Sequence, residues 1–302
     1  MTLGNFDGVH LGHQEILARV RKRAEEIKGT SLVYTFHPHP FSVLTQGQQF
    51  LSITTLDEKL KLIEKSGIDY VICEPFTSEF SRITAQRFVE DILFRRIGVK
   101  EVFVGEDYSF GSKRQGNVFY LRKMGKILNF RVSIIESIPV GNIIVKSSKI
   151  REFIQLGEIS VANRLLGRSY SLTGRVIKGK GRGAQLGFPT ANIKPFKFLH
   201  PGVGIYAVWV NFGNQQFPGA MNIGYNPTFH DRELSLEVHI LDFNKSIYEQ
   251  DLRISFVARI RDEKAFSSPK ELIAQMQKDV SEARRILEID GAKDGGLLSV
   301  SS

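Results

Sequence analysis

A change of period partway along the chain constrains its fold more than any other feature. Between residues 31 and 105 short β-rich runs alternate with helical ones. SLVYTF (31–36), DYVIC (69–73) and EVFVG (101–105) have strand composition. Between them lie TTLDEKLKLIEKSG (54–67), with Thr54 or Thr55 as cap and Gly67 as stop, and TAQRFVEDILFRRIG (84–98), ended by Gly98. Strands spaced by helices of this length imply βαβ units and a parallel sheet. Such a sheet binds ligands beyond the C-terminal ends of its strands. SKIREFIQLG (148–157) and EISVANRLLG (158–167) predict two further short helices. From Ser169 to about residue 261 the helical period disappears. YSLTGRVIKG, GIYAVWVNFG, FPGAMNIG, LSLEVHILDF and LRISFVARI are strand-like runs separated by turn signals, the pattern of a small antiparallel barrel. Ser268-Pro269-Lys270-Glu271 then opens a helix with a cap, a proline in first position and a glutamate three after the cap. The predicted fold is α/β. A Rossmann-like domain with a parallel sheet spans 1–168, a small antiparallel β-barrel domain with a terminal helix spans 169–290, and 291–302 is a frayed tail.

Composition bounds the function. A chain of 302 residues with 42% hydrophobic content can build two cores. Its net charge of +9 suits nucleic acid, anionic membrane or phosphorylated small molecules. The densest basic run, Arg19 to Arg23, is interrupted by Val20 and followed by Glu25 and Glu26, so it reads as a solvated helix face and not as a nucleic-acid arm. No apolar run approaches the roughly 18 residues of a membrane span. Cys73 is the single cysteine, so no internal disulfide can form and a reducing, cytoplasmic setting is expected.

The stretch GNFDGVHLGHQEIL (4–17) sits where a strand should give way to a helix. A helix N-terminus offers free N–H groups and a favourable dipole to an anion. Glycine lets that backbone come close to phosphates. Imidazoles on the first turn can donate to oxygens whose charge grows during transfer. His10-x-Gly12-His13 is therefore a coherent device for attack at an α-phosphate, although the tetrapeptide alone also fits a glycine-rich turn with two incidental histidines.

Several segments in order resemble one family. GNFDGVHLGHQEIL is similar to the signature of the bacterial bifunctional riboflavin kinase/FAD synthetase (FMN adenylyltransferase) family. TFHPHP (35–40), FVGEDYSFGSKRQGN (103–117) and VKSSKIRE (145–152) resemble its next segments. GRVIKGKGRGAQLGFPTANI (174–193), MNIGYNPTF (221–229) and SLEVHILDF (235–243) resemble its kinase half. The resemblance runs from about residue 2 to 287. Lys146 stands where the family usually has Ser, Ser148 where it often has Thr, and Glu249 where a glycine is common. The strand before Gly4 is abbreviated to Met1-Thr2-Leu3.

The resemblance implies two activities. The first domain joins FMN to the AMP part of ATP and releases pyrophosphate. His10 and His13 bind phosphate and stabilise transition-state charge, and Gly4, Asn5, Phe6, Asp7, Gly8 and Gly12 shape the nucleotide pocket. Asp107 lies beside the nucleotide or flavin, and Ser147, Ser148 and Arg151 hold the pyrophosphate end. The second domain phosphorylates riboflavin to FMN. Gly179, Lys180, Gly181, Gly183 and Pro189 belong to its loop over the phosphates, Thr190 and Asn192 hold Mg²⁺ with ATP oxygens, Glu237 is the general base and Asn226 contacts flavin or nucleotide. His37 and His39, flanking Pro38, read as loop structure. On periodicity alone Glu237 is a charge on the polar face of an alternating strand. The implied partners are riboflavin, FMN and ATP, with no nucleic acid or membrane. Two other readings stay open: a non-enzymatic flavin-binding or regulatory protein, and a His-x-Gly-His transferase for another phosphorylated substrate.

Overall fold

A computed structural model describes residues 1–45, 48–179, 181–227 and 232–296. The backbone contacts divide into two compact units, between Ser147 and Ser148.

The first unit is a five-stranded parallel sheet in the order β3-β2-β1-β4-β7. Its strands are β1 (Thr2–Leu3), β2 (Leu32–His37), β3 (Tyr70–Pro75), β4 (Glu101–Gly105) and β7 (Arg131–Ile135); the two-residue strands β5 (Ser109–Phe110) and β6 (Gly116–Asn117), and β8 (Pro139–Val140) and β9 (Ile143–Ile144), pair separately. β1 is as short as its sequence, yet it holds the centre: Thr2 pairs with Val33 on one side and Phe103 on the other. Both faces of β4 are buried, as in parallel sheets generally. Val102 and Val104 pack with Val89, Leu93 and Leu121. Phe103 packs on the other face with Leu17, Val20, Val33 and Ile63.

The helices that cover these faces start at recognisable caps. Helix α1 (Leu11–Glu26) begins at His10 and α2 (Pro40–Leu44) at His39. Helix α3 (Leu56–Glu64) has Thr55 and Glu58 as a reciprocal capping box. Thr54, the other candidate cap, instead accepts the Gly8 amide. Thr84 caps α4 (Ala85–Arg87), which widens into a π-helix over Phe88–Arg96 before Gly98. Helix α5 (Val118–Leu128) is capped by Asn117. The Arg19–Arg23 run is a salt-bridged face: Arg19 meets Glu15, Arg21 meets Glu25, and Arg23 meets Glu26 and Glu101.

The second unit is a closed antiparallel barrel, β10-β11-β14-β13-β12-β15, with β15 (Asp251–Arg261) returning to β10 (Tyr170–Ile177). β12 (Gly204–Phe212), β13 (Gln215–Pro227) and β14 (Arg232–Ile240) are the predicted runs. β11 (Ala191–Pro195) is a sixth strand that the alternation did not signal, and one helical turn, α8 (Arg182–Gln185), interrupts the stretch that read as helix-free. Tyr206, Val208, Met221, Ile223, Val238, Ile254 and Phe256 fill the barrel and are wholly buried. Their outward neighbours Ala207 and Trp209 carry helix α9 (Pro269–Gly296) through Ala283 and Leu287, with the Trp209 indole donating to Asp290 at 2.9 Å. The expected frayed tail is therefore helical up to Gly296; residues 297–302 lie outside the described residues. Glu249 has φ +62°, a left-handed conformation that glycine adopts without strain, which accounts for glycine at this place in the family's pattern.

Helices α6 (Ser147–Leu156) and α7 (Ile159–Leu166) precede the barrel. Ile159, Ala162, Leu165 and Leu166 of α7 are buried. Asn163 donates to the Phe256 carbonyl at 2.8 Å and accepts the Tyr170 amide at 2.7 Å. The compact unit thus begins twenty residues before the change of period at 168, because the apolar face of α7 finds its partner on β15. Each fully buried Leu or Ile contributes about 1.5–3 kcal/mol. A fragment starting at residue 168 should therefore have a clearly lower urea midpoint than one starting at 148; equal midpoints would show that α7 adds nothing to the barrel.

Candidate functional site

In the first unit the loop after β1 lies where the strand order reverses, between β1 and β4, the expected ligand crevice of such a sheet. Gly4 continues β1 by donating to the Tyr34 carbonyl at 3.1 Å. Phe6 is 1% exposed and belongs to the core, where its ring lies 5.0 Å from that of His13. The buried Asp7 carboxylate accepts the Ile53 amide at 2.9 Å and the Thr54 amide at 3.3 Å, so it ties this loop to the one before α3. Gly8 turns the chain at φ +81° against Ile53, where a side chain would be strained.

His10 is the N-cap of α1. Its Nδ1 accepts the His13 amide at 3.3 Å, which puts the proton of the neutral ring on Nε2. The two imidazoles stack at 3.6 Å and 15°. Gly12 lies against the His10 ring. Ser147 donates to the Asp7 carbonyl at 3.0 Å. The exposed Asp107, after β4, pairs with Lys146 at 3.2 Å, so the lysine that replaces the family's serine has a partner. Ser148 and Arg151 open the second unit, in α6. His39 caps α2 and stacks on Phe50 at 3.7 Å, a role in the loop. Burial, and then Lys59, hold the His37 pKa below its ordinary value.

Lys59 is the residue that sequence reasoning passed over here. It reads as a solvated lysine of an amphipathic helix, yet it is 7% exposed. Its ammonium donates to the Phe36 carbonyl at 3.0 Å, the Thr35 hydroxyl at 3.1 Å and the Asn5 carbonyl at 3.3 Å, joining the ends of β1 and β2. Burial lowers its pKa.

In the second unit Glu237 faces outward from the barrel, since its neighbours Leu236 and Val238 point into it. This is the polar face that alternation indicated, and here that face lines a cavity of about 280 Å³ between the barrel wall and α9. Both Glu237 oxygens accept hydroxyl hydrogen bonds, from Ser235 at 2.8 Å and from Thr190 at 3.3 Å. Asn192 on β11 is the register partner of Glu237. A Cβ at Gly179 would overlap the Asn192 amide and force that side chain to shift, so the loop passes directly over that residue. Gly181 and Gly183 flank the start of α8. Pro189 is held by His239, whose Nδ1 meets its carbonyl at 2.8 Å. Lys180 and the Asn226 side chain lie outside the described residues.

Ser235, Asn222 and the Arg261–Asp279 pair complete this face and were not singled out from sequence. Arg261 binds Asp279 through Nε at 2.8 Å and Nη2 at 2.6 Å, a fork that fixes α9 against β15. A second cavity, of about 420 Å³, lies on the far side of Thr190 and is lined by Phe243, Lys245 and Tyr248. Thr190 lines both.

Comparison with known proteins finds two family regions along the chain. A model of FAD synthetase matches residues 1–149, and a model of riboflavin kinase matches 166–287. A bifunctional riboflavin kinase/FMN adenylyltransferase of Buchnera aphidicola subsp. Schizaphis graminum is 36% identical over 293 residues, covering 96% of this chain and 94% of that one. The protein of the same name from Listeria monocytogenes is 38% identical over 287 residues, covering 94% and 91%. A crystal structure from Streptococcus pneumoniae, bearing the name macrolide-efflux protein, matches with a TM-score of 0.86 at 30% identity, over 94% of this chain and 93% of that one. Among the described residues no helix is long and apolar enough to cross a membrane. Identity of this order over more than nine-tenths of such relatives settles the kinship: the chain belongs to the bifunctional riboflavin kinase/FMN adenylyltransferase family.

Proposed function

We propose that the barrel unit phosphorylates riboflavin to FMN and that the α/β unit adenylylates FMN to FAD, each with ATP. The observation that carries this reading is the occurrence of both family regions in one chain, each over a compact unit with its own cluster of chemically suited residues. That tandem favours two transferase activities over a flavin-binding protein or a transferase for another substrate.

In the barrel, Glu237 accepts the proton of the riboflavin 5′-hydroxyl. The oxygen forms a bond to the γ-phosphorus of ATP, the bond from that phosphorus to the β–γ bridging oxygen breaks, and ADP leaves. Ser235 and Thr190 hold the carboxylate in orientation. The apolar cavity under α9, with Phe188, Phe266 and Met276, takes the flavin ring, and the cavity beyond Thr190 takes the nucleotide. The Thr190 hydroxyl and the Asn192 amide oxygen are hard donors of the kind that hold Mg²⁺ together with phosphate oxygens, and the tight cover of Gly179 over Asn192 suits such a cradle. When bound, the ion neutralises phosphate charge.

In the α/β unit an FMN phosphate oxygen attacks the α-phosphorus of ATP and pyrophosphate departs. His10 Nε2–H and His13 donate to the phosphate oxygens as their charge grows. Gly4 to Gly8 shape the crevice, with Asp7 holding the loop, and Asp107 and Ser147 flank it. The lone Cys73 and the phosphorylated substrates fit a cytoplasmic location.

Incubation with riboflavin, ATP and Mg²⁺, followed by chromatography, should show FMN and then FAD. Bound flavin without turnover would exclude the reading, and FMN alone would exclude its adenylyl half. Thr190→Ala removes one contact to a charged group, worth about 1.5–3 kcal/mol. It should raise the Mg²⁺ concentration for half-maximal kinase rate by roughly ten- to a hundredfold. An unchanged metal titration would remove Thr190 from that role.

A further inference from the structure

Asn222 on β13 is the register partner of Glu237 on β14, on the side away from Asn192. The same row continues through Ile205 to Arg261. Partners in register lie about 4.5–5.5 Å apart at Cβ. Their chain neighbours Met221, Ile223, Leu236 and Val238 are buried inside the barrel, so Asn222 and Glu237 share its outer face. Both line the cavity under α9.

The Asn222 Oδ1 is shielded from solvent and has no hydrogen-bond donor among the described residues. Leaving such an acceptor without a donor is costly. A neutral amide is also the acceptor that adds no negative charge beside Glu237, where a second carboxylate would disfavour the ionised base. The cavity thus sets beside the Glu237 carboxylate, which can take a proton, a neutral amide one strand away whose oxygen can receive a hydrogen bond once the side chain turns toward the cavity; the Glu263 and Asp279 carboxylates line the same cavity. A polyol with hydroxyls on neighbouring carbons matches that pair.

We propose that Asn222 Oδ1 accepts a hydrogen bond from the riboflavin 4′-hydroxyl, next to the reacting 5′-hydroxyl, and that this makes Asn222 a specificity-determining residue of the kinase. The assignment rests on the reading that Glu237 faces the 5′-hydroxyl. It explains why the row pairs a base with an amide: one selects the hydroxyl that reacts and the other recognises the chain that carries it.

The test compares riboflavin with 4′-deoxyriboflavin as kinase substrates. The unaltered protein should prefer riboflavin by roughly 10- to 100-fold in kcat/KM, because the deoxy analogue leaves the acceptor unsatisfied. In Asn222→Ala the preference should fall to within about twofold, with the loss taken from riboflavin and not from the analogue. The ratio is measured within one protein sample, so partial unfolding of the variant cancels. A preference that persists in Asn222→Ala, or that is absent from the unaltered protein, overturns the assignment. Glu237→Gln measured in parallel separates the two readings: a collapsed rate with an unchanged Asn222→Ala preference overturns the Asn222 role alone, and a retained rate overturns both.

Discussion

Glu237→Gln should lower FMN formation by about 10²–10⁴, the usual contribution of a positioned general base, and leave the conversion of supplied FMN to FAD unchanged. The substitution keeps the shape of the side chain. The amide oxygen can still accept from Ser235, which donates at 2.8 Å in the native arrangement. The amide nitrogen replaces the oxygen that accepts from Thr190, and it can take no proton from a hydroxyl. The loss should therefore fall on kcat more than on KM for riboflavin. FAD formation from FMN is an internal control, because His10, His13 and the Gly4–Gly8 loop lie in the other compact unit. A kinase rate within a few-fold of the original would leave Glu237 as the polar-face charge that alternation alone suggests. Parallel loss of both activities would point to unfolding and would be visible by thermal denaturation.

The architecture was legible wherever periodicity and caps act locally. Thr55 with Glu58, Thr84 before the second helix, and Ser268 with Glu271 each satisfy helix-end groups within a few residues, so their signals stand in the sequence. Long-range pairing leaves weaker traces. Helix α5 ends at Asn129, in a left-handed conformation, and β7 starts two residues later; the run MGKILNFRVSII is apolar across the break and hides it. β11 is a five-residue strand ending in proline, and it forms because β10 and β14 offer edges on both sides. That α6 and α7 belong to the second compact unit leaves a similarly weak trace: they look like other amphipathic helices until their buried faces are matched with the barrel.

The candidate sites follow the same division. His10 and His13 are three residues apart at a helix start, so sequence alone predicts that they meet. Glu237 and Ser235 share a strand face at a separation of two, so their contact is local in the sequence. Asn222 reaches Glu237 only through the β13–β14 register, and Lys59 is buried by β1 and β2 rather than by its own helix. Neither position has a local marker.

His10→Ala should lower FAD formation from FMN by roughly 10²–10³, the cost of one transition-state donor, with kinase activity nearly unchanged. It also removes the cap of α1, and loss of a cap costs about 0.5–2 kcal/mol. The two effects can be separated because His10 uses its two nitrogens differently. Nδ1 accepts the His13 amide at 3.3 Å and so serves the helix, while Nε2 carries the proton that a phosphate oxygen can receive. Asparagine is among the strongest N-caps, since its side-chain oxygen can accept the same amide, but its shorter side chain has no donor at the imidazole's reach. His10→Asn should therefore restore the thermal midpoint lost in His10→Ala and leave FAD formation as low. His13→Ala removes the stacked partner and a donor, and the cap bond survives because it uses the His13 backbone amide; the midpoint should hold while activity falls. Recovery of FAD formation in His10→Asn would show that His10 acts only as the cap, and the proposed transition-state role would pass to His13 alone.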